Sequence, residues 1–358
     1  MHMKTVMRPK RMKALLLGPL AAFVLVAGGC GESRYAYEQA GRDLEQGSYS
    51  YALDGYMRAL EEGGMEAKSL RGAGIALMRL GRYAESADYF TRALGEKKVS
   101  KPLRKDILSY RAETYYLDGQ LSPAMADCQT LSEEYGKDAD TAFLTALVAL
   151  AMDAYQEAEQ EFGLSYEKDP SYERAFEIYQ AYLDRGMEAS GTVYLEKVLA
   201  AAPSTAEDYC DRGRVFYYME DYQRAAEELR TAVNQNYTDA FLLLGMVYMA
   251  QNDTANARAM FRQYIERSGD AAKGYNGLAL CDLQEENYRS ALSNIASGIP
   301  YANTEEMQTL LFNEIVVYER EMDYVTAEQK AWEYVAMFPE DKAAAKELTF
   351  LRSRNGHL

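Results

Sequence analysis

Histidine is nearly missing from this chain: of 358 residues only His2 and His357 are histidine, one at each end. A histidine triad, a His–Cys dyad or a histidine metal site is therefore excluded from the body, and with it much of the usual general-base and metal chemistry. Proline is scarce, at eight, and no Gly/Ser-rich or Pro-rich linker divides the chain, which favours one continuous body. Tryptophan occurs once against thirty tyrosines, so the fold needs a slot that tyrosine fills repeatedly. The cysteines other than Cys30 are Cys128, Cys210 and Cys281, far apart and without CxxC spacing, which argues against a disulfide framework or a zinc site. Positive charge is in deficit, with 39 basic against 55 acidic residues and a formal net charge of −16. No Gly-rich phosphate loop follows a strand, and no segment reads convincingly as a strand. Neither a catalytic centre nor a cofactor is expected. The paired carboxylates Glu61-Glu62, Glu133-Glu134, Glu227-Glu228 and Glu285-Glu286 read as solvated helix surface.

What is present begins with an address. Lys4, Arg8, Lys10, Arg11 and Lys13 form a basic region, followed by the apolar run 14–26 and then Ala27-Gly28-Gly29-Cys30. The run is short for a spanning helix and has the layout of a secretory signal. It resembles a bacterial lipoprotein signal, although a larger aliphatic residue is more usual where Ala27 stands. The resemblance implies cleavage after Gly29, lipidation of Cys30, a short tether over 30–32, and a body anchored in the cell envelope outside the cytoplasm. An uncleaved N-terminal anchor is the alternative. Losing the five basic residues of 1–29 takes the formal charge from −16 to −21, and such a body repels nucleic acid and anionic headgroups.

The body repeats. A small residue recurs at Ala52, Ser86, Ala124, Ala158, Gly191, Ala225, Ala257, Ala291 and Ala327, at intervals of 32 to 38 residues. Three residues before it stand Tyr49, Tyr83, Leu121, Tyr155, Tyr222, Tyr288 and Tyr324. Four after it stand Tyr56, Phe90, Phe162, Leu195, Leu229, Phe261 and Ile295, with Cys128 in the same slot. Twelve before it a second small residue appears at Ala40, Gly74, Ala112, Ala146, Gly213, Gly245 and Ala279. Pro170, Pro203 and Pro339 suit helix stops. Each unit reads as two amphipathic helices, A and B, closing on one another through small residues.

This pattern resembles the tetratricopeptide repeat, a helix–turn–helix unit of about 34 residues. The resemblance implies an all-α, right-handed superhelical solenoid. Its units fall at 33–66, 67–100, 105–138, 139–172, 172–205, 206–239, 238–271, 272–305 and 308–341. The fifth copy departs, with Tyr179 and Gly191 at the small positions. So does the ninth, with Ile315 and Ala331 where small and large are expected, leaving the count at eight or nine. Residues 342–358 read as a capping helix and tail, with Phe350 and Leu351 over the open end.

In such arrays one flank of helix A lines a groove for an extended peptide or partner helix. Read off at three before, one after and four after the small residue, that flank holds Tyr37, Ile75, Met78, Phe143, Leu147, Leu150, Phe176, Tyr217, Leu242, Met246 and Met249. The adjacent position adds Tyr218. Packing between repeats is the alternative role for each. Lys68, Arg71, Arg79, Arg214 and Lys273 do not assemble into the Asn-rich clamp with which some family members grip a C-terminal carboxylate. The reading that results is a membrane-anchored, non-enzymatic scaffold for a protein or peptide partner. The alternative is a solute-binding lipoprotein holding a glycan or oligopeptide.

Overall fold

A computed structural model describes residues 31–63, 65–339 and 341–357. Cys30 and the segment before it lie outside the described residues. Regular structure among the described residues is entirely helical: nineteen α-helices and one 3-10 turn at Ile299–Tyr301. They fall into two compact units, one ending at Val198 and the other beginning at Leu199.

The first unit is five antiparallel hairpins. They are α1 (Gly31–Glu45) with α2 (Tyr49–Glu62), α3 (Glu66–Arg79) with α4 (Tyr83–Gly95), and α5 (Lys101–Leu117) with α6 (Leu121–Tyr135). Then come α7 (Ala139–Ala151) with α8 (Tyr155–Lys168) and α9 (Tyr172–Asp184) with α10 (Glu188–Val198). The second unit pairs α11 (Ala206–Tyr218) with α12 (Tyr222–Asn234) and α13 (Thr238–Ala250) with α14 (Thr254–Arg267). It continues with α15 (Ala272–Gln284) against α16 (Tyr288–Gly298) and α17 (Thr304–Arg320) against α18 (Tyr324–Met337). A last helix, α19 (Lys342–Arg354), packs on α18.

One turn closes all nine hairpins. Helix A ends at a residue in the left-handed region: Gly47, Gly81, Gly119, Asp153, Gly186, Glu220, Asn252, Glu286 and Met322, with φ of 59–76°. The next N–H reaches back five residues, as in Arg82 N to Leu77 O at 2.9 Å and Asp323 N to Tyr318 O at 2.9 Å. This is the Schellman closure, which satisfies a helix-end carbonyl that would otherwise lack a partner. Helix B then opens on the recurrent tyrosine; Tyr83, Tyr222, Tyr288 and Tyr324 lie half-buried against their hairpin cores. Asp221, Asp253 and Asp323 cap their helices through the side chain.

In α3–α4, α11–α12 and α13–α14 the small residue of helix A faces the large one of helix B. A Cβ on Gly74 would stand 2.7 Å from Phe90, and one on Gly245 would stand 2.6 Å from Phe261. Glycine is thus a consequence of close approach at a large ring. The next repeat repeats the demand: a Cβ on Gly277 would also stand 2.6 Å from the Phe261 ring. Each ring of this kind is fully buried, which contributes about 1.5–3 kcal/mol through lost apolar exposure. Cys128 occupies the large slot of α6 and is fully buried, and burial pushes its thiol up to about 12.

The two departing copies are ordinary hairpins reached differently. In α9 and α10 the sizes are exchanged. Tyr179 fills the helix A position, and a Cβ on Gly191 would lie 2.9 Å from the Tyr179 Cα and 3.0 Å from its carbonyl oxygen. In α17 and α18, Ile315 and Ala331 are both fully buried, again large against small with the order reversed. On α19, Leu351 is fully buried whereas Phe350 is 53% exposed, so only one of the pair closes the stack.

Candidate functional site

A helices of successive repeats touch one another directly at α1 with α3, α3 with α5 and α5 with α7 in the first unit, and at α11 with α13, α13 with α15 and α15 with α17 in the second. Their shared flank is where the sequence places the binding stripe. The structure divides that stripe by depth. Ile75, Met78, Phe143, Leu147, Leu150 and Met249 are buried, and Ile75, Met78, Phe143 and Met249 touch the next repeat. Ile75 and Met78 join a core with Phe90, Ile107 and Tyr110. Met249 accepts a contact from the Cys281 thiol of the next A helix at 3.2 Å. Tyr37 and Phe176 of the first unit, and Tyr217, Tyr218, Leu242 and Met246 of the second, remain half-exposed.

In the second unit the accessible part is continuous in kind. Tyr217 lies edge-on to Tyr218 at 5.9 Å between centroids and tilted against Tyr222 at 5.9 Å, and burial raises the Tyr217 hydroxyl to about 12. It remains neutral and able to donate a hydrogen bond across the physiological range. On α13, Leu242 and Met246 pack partly into the core around Phe261 and show their remaining surface. Aromatic rings with polar tips and a pliable thioether are the side chains that accommodate varied apolar ligands.

The first unit is laced by charge. Arg71 grips Asp106 of the next A helix with two nitrogens, Nη2–Oδ1 at 3.0 Å, and lies 5.2 Å from the Tyr110 ring centroid. Tyr37 meets Tyr56 edge-on at 5.6 Å, and burial raises its hydroxyl above the usual range. Arg174 is buried over the face of Phe143, 4.9 Å from its centroid; it donates a hydrogen bond to Asp140 and lies in ion-pair range of Glu177 at 3.1 Å and Asp169 at 3.5 Å. Glu177 is raised from 4.5 to about 7; burial is the largest cause, Arg174 opposes it, and Glu173, Asp140 and Asp169 add to it.

Of the basic residues on helix A, Arg71, Arg214 and Lys273 are engaged, the last two with Asp211 at 2.9 Å and with Asp270 and Glu306 at 2.7 and 3.1 Å. Lys68 and Arg79 are exposed. The Arg174 roof over Phe143 is absent from the sequence reading. Its trace is one of opposite charges about one repeat apart: Asp140 to Arg174 at 34 residues, Arg71 to Asp106 at 35 and Lys105 to Asp138 at 33.

A sequence model of the tetratricopeptide repeat matches residues 37–100, 71–139, 210–272 and 242–297. No curated protein matches the chain. Among solved structures the chain is similar to a tetratricopeptide repeat protein from Parabacteroides merdae ATCC 43184, with 19% identity, 70% of this chain and 99% of that one covered, and a TM-score of 0.42. It is similar to MamA from Desulfovibrio magneticus RS-1, with 16% identity, coverage of 48% and 96%, and a TM-score of 0.41. It is also similar to yeast Tom70, with 12% identity, coverage of 91% and 89%, and a TM-score of 0.40. Likeness at this level carries no argument about partners.

Proposed function

The chain belongs to the tetratricopeptide repeat family, and from that premise we propose a membrane-tethered scaffold outside the cytoplasm that holds a protein partner against its A helices. Proteins of this family are generally non-catalytic scaffolds, and the repeat fold suits protein–protein interaction. The observation that carries the reading is the half-exposed set Tyr217, Tyr218, Leu242 and Met246, apolar surface on neighbouring A helices with no helix of the next repeat burying it completely. An extended peptide or partner helix with apolar side chains fits it. The body's negative charge weighs against a nucleic-acid ligand.

The test is recovery of partners from membranes with the mature body, beside the double variant Tyr217→Ala, Met246→Ala. Both side chains are only partly buried, so the variant is expected to stay folded and to lose the partner; unchanged recovery removes the stripe from the account. The tether rests on the basic–apolar–small–Cys layout ahead of α1. Metabolic labelling with a radioactive fatty acid tests it, since Cys30→Ala is expected to abolish labelling, and label retained in that variant refutes the anchor.

A further inference from the structure

The fifth hairpin, α9 with α10, is the last of the first unit, so within that unit it has a neighbour on one side only. Its seam with that neighbour differs from the earlier ones. Helix α9 meets α8 over a far shorter stretch than α3 meets α2, α5 meets α4 or α7 meets α6. Rings and a guanidinium fill the seam. Tyr182 tilts against Phe162 at 5.0 Å between centroids, Tyr194 stands edge-on to Tyr166 at 5.7 Å, and Arg174 lies over Phe143.

Charge at this seam does not balance. Arg174 is the cation that crosses it. The carboxyl groups that bear on Glu177 there are Asp140 at the start of α7, Asp169 just after α8, and Glu173 on α9 itself. From α10, Glu188 accepts the Tyr179 hydroxyl hydrogen bond at 3.0 Å, and Lys197 lies over the Tyr194 and Tyr166 rings. Elsewhere in the unit a cation that crosses a seam meets one acid, as Arg71 meets Asp106 and Lys105 meets Asp138. One guanidinium cannot compensate four ionised carboxyls where water is partly excluded. Glu177 is the one driven to the neutral form, first by burial, with Arg174 opposing and the three acids adding.

We infer that the fifth hairpin is a proton-sensitive flap: it seats on α7 and α8 while Glu177 holds its proton, and lifts from them as Glu177 ionises. Ionised, Glu177 brings a further negative charge to a guanidinium already shared by Asp140 and Asp169, and lifting the hairpin admits the water that solvates it. In the lifted hairpin the carboxyl returns to its ordinary 4.5, against about 7 when seated. The seated form is therefore fully favoured below about pH 4.5 and loses ground as pH climbs through 7; from pH 6 to pH 8 the loss is about tenfold. The same event moves Phe176, the half-exposed residue that α9 contributes to the flank of the A helices.

Hydrogen exchange of the mature chain, read by mass spectrometry in steps from pH 5 to pH 9 and corrected for intrinsic rates, tests this. Peptides from 172–198 are expected to lose about tenfold in protection between pH 6 and pH 8, while those from 66–95 keep theirs. Glu177→Gln is expected to abolish the loss. Asp169→Asn is expected to bring the fall to an end at lower pH, because one of the acids that hold the proton on Glu177 is gone. Melting at pH 5 checks that both variants are folded. A loss spread evenly over the chain overturns the proposal. So does the same loss in Glu177→Gln, or a pH range left unmoved by Asp169→Asn.

Discussion

The repeat turns on single side chains, and Phe261 shows it most plainly. Its ring is fully buried, and a methyl group on Gly245 of its own hairpin or on Gly277 of the next would stand 2.6 Å from it. Gly245→Ala and Gly277→Ala are each expected to destabilise the chain by about 1–3 kcal/mol in urea titrations, the usual scale of overpacking. Adding Phe261→Leu should recover part of that loss, because the branched chain vacates the ring edge; additive losses would contradict the shared contact. Glu177 offers a second test at this scale. Its carboxyl rises from 4.5 to about 7, so between those values the folded chain holds a proton that the unfolded chain has released. The stability this contributes is present below about pH 4.5 and is lost as pH climbs through 7. Glu177→Gln should flatten that part of the stability–pH curve, measured by denaturation at pH 5 and pH 8.

Hairpins are the unit at the next scale, and their tolerance depends on what the small residue faces. At Gly245 an added methyl meets a ring that can tilt, whereas at Gly191 it meets the Tyr179 backbone at 2.9–3.0 Å. Gly191→Ala should therefore cost more than Gly245→Ala in the same assay, and the reverse order would reject the exchanged packing of α9 and α10. The turns invite the opposite change. Met322 sits left-handed at φ 63° with its side chain 73% exposed, so it bears the conformational cost without a packing return. That cost is about 1–2 kcal/mol for a non-glycine residue, offset in part by the greater freedom glycine has when unfolded. Met322→Gly is expected to stabilise by about 0.5–1 kcal/mol, read as a higher melting temperature. The tyrosine at the start of helix B and the small residues on both helices were legible in the sequence, because each recurs at one fixed phase of the period.

At the scale of the molecule the described residues make two compact units, each a row of hairpins held by contacts between neighbours. Repeat arrays whose stability is a sum of local and nearest-neighbour parts need not unfold in one step. Calorimetry of the mature chain is expected to give a calorimetric enthalpy larger than the van't Hoff value; equality of the two would mean a single cooperative body. Here the sequence reads less completely. The stripe on helix A was located by angle alone, and angle does not distinguish Met249, buried against Cys281, from Met246, still half-exposed three residues earlier. The second glycine demand, at Gly72 and Gly277, was not legible because it is imposed by the preceding repeat and appears in only some copies.

What the sequence determined by itself is the hairpin and its period. Small and large side chains a fixed number of positions apart must meet once the chain folds back on itself, and that requirement is local. What only the tertiary structure decided is which flank closes and which cations find a carboxylate a whole repeat away. Those depend on how closely each hairpin approaches the next, a distance set by side chains far apart in the chain.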